Sequence, residues 1–200
     1  APAAFADYGP LVPDPAGMLD LPRVFTYRLL SSLGDAMADG GAVPDKADGM
    51  GCLSLGGDEI VLIRNHELVP GDGAGGPLAH GYGTHNGSIV PGGTTNLVLD
   101  ARTLEVKREF RTLAGTIRNC SGGITPWGSW LTCEEAPTGP GQRYGDGLAL
   151  DHGWVFEVPA TATGLVDAVP LKAMGRFNHE AACVDPATGV VYLTEDRGDS

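Results

Sequence analysis

Apolar and polar positions alternate in short runs along this chain, with almost no helical period. Phe25–Leu29, Thr95–Asp100, Leu104–Phe110 and Trp127–Thr132 each read as strands, as do Glu59–Arg64 and Trp154–Val158. Ala182–Val184 and Val190–Leu193 flank Asp185-Pro186-Ala187-Thr188-Gly189, where Pro presets φ and Gly tolerates a positive one. The one helical candidate, Leu29 to Met37, is short and broken by Gly34. Two hairpins look alike, Leu97 to Phe110 and Ala182 to Thr194. Repeated strand–turn–strand units of this kind predict an all-β fold, with a β-propeller favoured over a sandwich or barrel. Pro70 to Gly93 is long for a connection and rich in Gly, which marks it as functional or mobile.

Composition narrows this picture. The 200 residues include 31 Gly and 15 Pro, so turns are abundant and long helices scarce. The size suits one domain or a piece of a larger one. A formal net charge of −12 disfavours a nucleic-acid partner, which needs clustered Lys and Arg. No apolar run approaches a membrane span. The start, Ala1-Pro2-Ala3-Ala4-Phe5-Ala6, resembles what remains after cleavage beside small residues, a hint of export. Four Cys are too sparse for a disulfide scaffold, allow two bridges, one or none, and lack the C-x-x-C spacing of structural zinc.

The chemistry gathers in polar clusters at strand ends. They are Arg64-Asn65-His66-Glu67, Asn119-Cys120 leading to Cys133-Glu134-Glu135, and Asn178-His179-Glu180 followed by Glu195-Asp196-Arg197. Oxygen ligands delivered by successive strands suit hard cations such as Ca2+. A Cys in the same set adds a soft ligand that favours iron or zinc. Taken alone, a Cys is more often a buried apolar residue, and an Arg beside Glu195 and Asp199 is more often half of an ion pair. Trp127 and Trp130 read as packing residues, Cys133 and Cys183 as packing residues or a disulfide, and His80 and His85 as surface groups.

The run Asn119-Cys120-Ser121-Gly122-Gly123 through Thr132-Cys133-Glu134-Glu135 resembles the PhoX-type alkaline phosphatases. Tyr8-Gly9-Pro10-Leu11, Asp48-Gly49-Met50, Arg64-Asn65-His66-Glu67, Gly175 to Ala182 and Thr194 to Ser200 agree with it in family order. The resemblance implies a six-bladed propeller, of which residues 1–200 would form a single domain covering roughly the N-terminal half, incomplete at its C-terminus. It implies a metal-dependent phosphomonoesterase with Fe3+ and Ca2+ sharing an oxo group in the channel, a small phosphate ester as substrate, and a periplasmic or secreted location. By motif match Cys120 is the thiolate on iron, and Glu135, Glu180 and Asp196 are further ligands, with Glu134 and Glu67 as additional candidates. Arg197 offers a fork of donors to phosphate. Clustered metals would supply the positive charge that a phosphoryl transition state needs. Two alternatives stand beside this reading: a calcium-only propeller hydrolase acting on lactones or phosphotriesters, and a non-catalytic half-propeller binding module.

Overall fold

A computed structural model describes residues 8–144 and 146–198. The chain divides into two units, one ending at Ser31 and one beginning at Ser32. In the first, β1 (Leu11–Val12) pairs antiparallel with β2 (Leu21–Pro22). The strand expected at Phe25–Leu29 does not form. Among the described residues no strand pairs with it; the Tyr27 hydroxyl instead donates to Asp14, and the Phe25 ring meets Tyr8 edge-on at 5.0 Å.

The second unit is built of antiparallel strands. β3 (Ala47–Gly56), β4 (Glu59–His66), β7 (Gly92–Asp100) and β8 (Val106–Thr116) form a four-stranded meander in that order. β5 (Thr84–His85) and β6 (Ser88–Ile89) make a small hairpin inside the Gly-rich connection. A second sheet runs β9 (Asn119–Ile124), β10 (Ser129–Glu134), β11 (Val155–Pro159), and β12 (His179–Val184) pairs with β13 (Val191–Glu195). Among the described residues there is no α-helix, only a 3-10 turn at Lys172–Met174. The fold is therefore all-β, as expected, with several sheets, none of them closed on itself. The helical candidate, Leu29 to Met37, is not a helix: Leu33 and Gly34 form a turn, and Ala36 bridges across to Ala42.

Strand β3 has no counterpart in the periodicity reading, because Gly49 and Gly51 interrupt its pattern. They are there for close approach. A Cβ on Gly49 would lie 2.8 Å from the Cys120 carbonyl oxygen, and one on Gly51 2.6 Å from the Trp130 ring. These glycines let β3 lie against β9. β9 in turn packs on β12, where a Cβ on Gly123 would collide with the Ala182 carbonyl. Two apolar layers fill the spaces between sheets. Val61, Ile63, Val98, Leu113, Trp130 and Phe156 join the first sheet to the second, while Leu131, Cys133, Val155, Ala182 and Val184 join the second to the third. A fully buried Phe or Ile contributes roughly 1.5–3 kcal/mol over its exposed state, so these layers dominate the stability of the unit. Trp130 is core, as expected. Trp127 sits in the exposed Thr125–Gly128 turn and donates to Glu157 at 2.6 Å, so it is not a packing residue. All four cysteines are free thiols.

Polar cross-ties set the height at which the sheets meet. Buried Asn65 at the end of β4 donates to the Ser121 carbonyl at 2.8 Å and accepts from Trp130 Nε1 and Thr132 Oγ1 at 2.9 and 2.8 Å. Asn119 donates to the same Thr132 hydroxyl at 2.9 Å. Every hydrogen-bonding atom of the Asn65 amide but one N–H is thus taken by the neighbouring sheet, which makes it a tie between sheets.

Candidate metal centre

Three hairpins carry the same device at the same place. In β3–β4, Ala47 faces His66 and the next aligned pair is Met50 with Arg64, so Asp48 and Gly49 bulge opposite one residue. In β9–β10, Asn119 faces Glu134 and the next aligned pair is Gly122 with Thr132, so Cys120 and Ser121 bulge. In β12–β13, His179 faces Glu195 and the next aligned pair is Ala182 with Leu193, so Glu180 and Ala181 bulge. A bulge turns a side chain out of the regular alternation of a strand. Here it turns out Asp48, Cys120 and Glu180.

The partner strands repeat as well. Each ends one residue before an acid: Glu67 after β4, Glu135 after β10, Asp196 after β13. The N–H of each acid donates to the residue just before the bulged strand, Glu67 to Lys46 at 2.8 Å, Glu135 to Arg118 at 2.9 Å and Asp196 to Asn178 at 3.0 Å. Lys46 and Arg118 share a left-handed φ of 51°, a conformation uncommon for residues other than Gly, Asn and Asp. The result is one bulged side chain and one acid presented together by each hairpin.

The side chains converge. One ligand atom each from Cys120, Glu135 and Glu180 lies within 4.8 Å of the other two. Cys120 is buried and the two carboxylates are half-buried. Glu67, Glu180 and Asp196 all act electrostatically on Glu135, and burial together with these like charges holds its pKa above the ordinary carboxylate value, against the opposing pull of Arg118. Asp48 is raised in the same way, by desolvation and by Glu67. Burial and the neighbouring Glu180 push the Cys120 thiol far up, so without a cation it stays protonated and donates to the His179 carbonyl at 3.2 Å. Crowded carboxylates around a protonated thiol are an arrangement that a multivalent cation relieves, with release of the thiol proton on binding. The donor set, one thiolate and at least two carboxylates, fits a metal of borderline or hard character.

The other expected site residues lie as follows. Glu67 is half-buried and bonded to Arg118 at 2.8 Å. Asp196 is exposed at the end of β13, outside the tight group but within electrostatic reach of Glu135, and Arg197 follows it, also exposed. Glu134 faces away from its neighbour, as successive strand residues do. It is fully buried and accepts from the N–H groups of Ile117, Gly153 and Trp154 at 2.7–3.0 Å and from His152 Nδ1 at 2.7 Å. A carboxylate so engaged holds the backbone together. His179 is buried, stacks on Phe177 at 3.7 Å and donates through Nε2 to the Gly175 carbonyl. Asp48 is the residue the motifs did not single out as a ligand; the signal was the shared order of bulge and acid in three hairpins, hidden because the bulged residue changes from Asp to Cys to Glu. A cavity of about 480 Å³ walled by Asp39, His80 and Arg111 contains none of these residues.

An all-β chain whose hairpin ends gather a thiol and carboxylates is the class this geometry defines. The family described as alkaline phosphatase PhoX matches residues 6–107 and 93–200. The chain belongs to this family of alkaline phosphatase-type hydrolases. No curated protein and no solved structure matches it. Among the described residues, no helix is long and apolar enough to cross a membrane.

Proposed function

We propose that the protein is a metal-dependent phosphomonoesterase whose centre is held by Cys120, Glu135 and Glu180. The single observation that carries this reading is the convergence of those three ligand atoms within 4.8 Å, from two different sheets, in a chain of the PhoX family. Cys120 is the soft ligand and suits Fe3+. Glu67, Asp48 and Asp196 are the oxygen donors at its flanks and suit Ca2+. The sheets are read as successive blades of one propeller domain, with the bulged ends facing its channel. Export to the periplasm or medium is carried over from the family resemblance.

When bound, the metal ions would supply positive charge for the phosphoryl group and a water of lowered pKa. The chain's own residues do the rest. Cys120 would be one of the residues holding the metal, giving up its thiol proton to do so. The cross-tie of Asn65 to Ser121, Trp130 and Thr132 fixes the bulge that aims Cys120. The clamp of four donors on Glu134 anchors the strand end that aims Glu135, so the ligands are positioned before substrate arrives. Arg197, carried over from the family resemblance, would pair with two phosphate oxygens through its planar fork.

Hydrolysis of p-nitrophenyl phosphate by the purified protein tests the reading. Activity abolished by chelation, restored by iron with calcium, and absent in Cys120→Ala is the expected result. Full activity in the presence of a strong chelator would refute it. Restoration by calcium alone, with Cys120→Ala unimpaired, would favour a calcium-only hydrolase.

A further inference from the structure

We infer that Arg118 is a positioning residue for this centre, its guanidinium fork deciding which oxygens of Glu135 and Glu67 face the ligand group. The inference rests on the metal-site reading above. Arg118 Nη2 lies 2.6 Å from Glu135 Oε2 and Nε lies 2.8 Å from Glu67 Oε1, so one planar group holds one oxygen of each carboxylate. It leaves Oε1 of Glu135 and Oε2 of Glu67 unclaimed by itself. The two acids come from different sheets, and the terminal torsion of a Glu is broad on its own; Asp48 also hydrogen-bonds Glu67, whereas Arg118 reaches both acids.

The backbone of Arg118 is tied at both ends. Its N–H donates to the Leu68 carbonyl at 3.0 Å, and its own carbonyl accepts from Glu135 at 2.9 Å. Nη1 adds a longer contact to the Glu135 carbonyl at 3.3 Å. The left-handed φ of 51° lets the residue serve both strand ends at once. The side chain is only 24% exposed and Glu135 13%, so solvent weakens these pairs less than it does surface pairs.

Lys46 supplies the internal control. It holds the same place in the first hairpin, has the same φ, and accepts the N–H of Glu67. Its ammonium, however, pairs with Asp72 at 2.7 Å rather than with either ligand acid. Reaching two ligand carboxylates is therefore a property of Arg118 and not of the repeated turn. A two-point fork fixes orientation, whereas an ammonium supplies only charge.

Arg118→Lys separates these effects, because it keeps the charge and loses the fork. Titration with Co2+, followed by the sulfur-to-metal absorption that Cys120 confers, gives an affinity with no dependence on turnover. Hydrogen-bond partners that orient metal ligands typically account for 10–100-fold in affinity. We expect Arg118→Lys to weaken Co2+ binding by at least ~10-fold. The thermal midpoint of the metal-free protein should stay within a few degrees, and Lys46→Gln should bind Co2+ like the wild type. Wild-type affinity in Arg118→Lys overturns the inference, as does a lowered midpoint with unchanged affinity, which is the mark of a purely structural pair. Wild-type protein that shows no sulfur-to-metal absorption with Co2+ overturns the metal-site reading and this inference with it.

Discussion

The ends of the first and second hairpins share one backbone plan and carry different chemistry. Each has a left-handed basic residue, a two-residue bulge and an acid beyond the partner strand: Lys46, Asp48 and Glu67 in one, Arg118, Cys120 and Glu135 in the other. The first offers oxygen alone and leaves its Asp48 exposed, while the second offers a buried thiol and a half-buried carboxylate. The lesson is that the bulge fixes where a ligand stands and the side chain placed there fixes which ion it suits. Geometry is repeated; selectivity is not.

Breaking the second hairpin should therefore cost the most. We expect Cys120→Ala to lower phosphomonoesterase activity by more than ~100-fold, since it removes a ligand rather than a neighbour of one. The check is steady-state hydrolysis together with metal content. Next comes a contrast between two adjacent carboxylates. Glu134→Gln puts an amide donor where Gly153 and Trp154 N–H groups now find an acceptor. We expect a loss of roughly 2–4 kcal/mol in urea unfolding, the range for breaking a buried charged hydrogen-bond set. Glu135→Gln should leave stability within about 1 kcal/mol yet weaken metal binding. Equal effects of the two variants on stability would dissolve the distinction between a structural and a ligand carboxylate.

A third effect is set by pH and belongs to the first hairpin. His66 is fully buried, and desolvation with nearby Arg111 and Arg64 lowers its pKa from 6.5 to about 3. The folded state thus binds fewer protons than the unfolded state between those values. Its contribution is complete above pH 6.5 and is lost as pH falls through 6.5 towards 3. At about 1.4 kcal/mol per unit, unfolding free energy should drop by roughly 2 kcal/mol from pH 6.5 to 5 from this group. A metal-free protein whose stability is flat over that window would contradict the neutral, buried His66. The smallest effect we expect is that of Asp48→Asn, about 10-fold in activity, with the Cys120-dependent absorption of a bound metal unchanged. A change in that absorption would show that the two hairpins serve one ligand set and not two neighbouring ones.

How far the sequence could be read follows from the same contrast. Strands β4, β7, β8, β10, β11 and β13 declare themselves by alternation or apolar runs that the structure keeps. β3 does not, because close contact with β9 and Trp130 requires glycines where a strand would otherwise show branched residues. The Phe25–Leu29 pattern alternates correctly but has no partner strand among the described residues. Cys120, Glu135 and Glu180 are legible as motif neighbours, yet choosing Glu135 over Glu134 needs the strand's facing, which depends on register. Asp48 and Arg118 are not legible at all. Their roles arise from a bulge and a left-handed turn, and neither leaves a fixed residue type behind.

X-ray absorption at the metal edge of the purified protein bears most directly on whether Cys120, Glu135 and Glu180 bind metal. The account predicts a sulfur neighbour at ~2.3 Å, a typical metal–thiolate distance, among oxygen neighbours, and its disappearance in Cys120→Ala. A shell of oxygen and nitrogen alone in the wild-type protein, unaltered by that substitution, would contradict it.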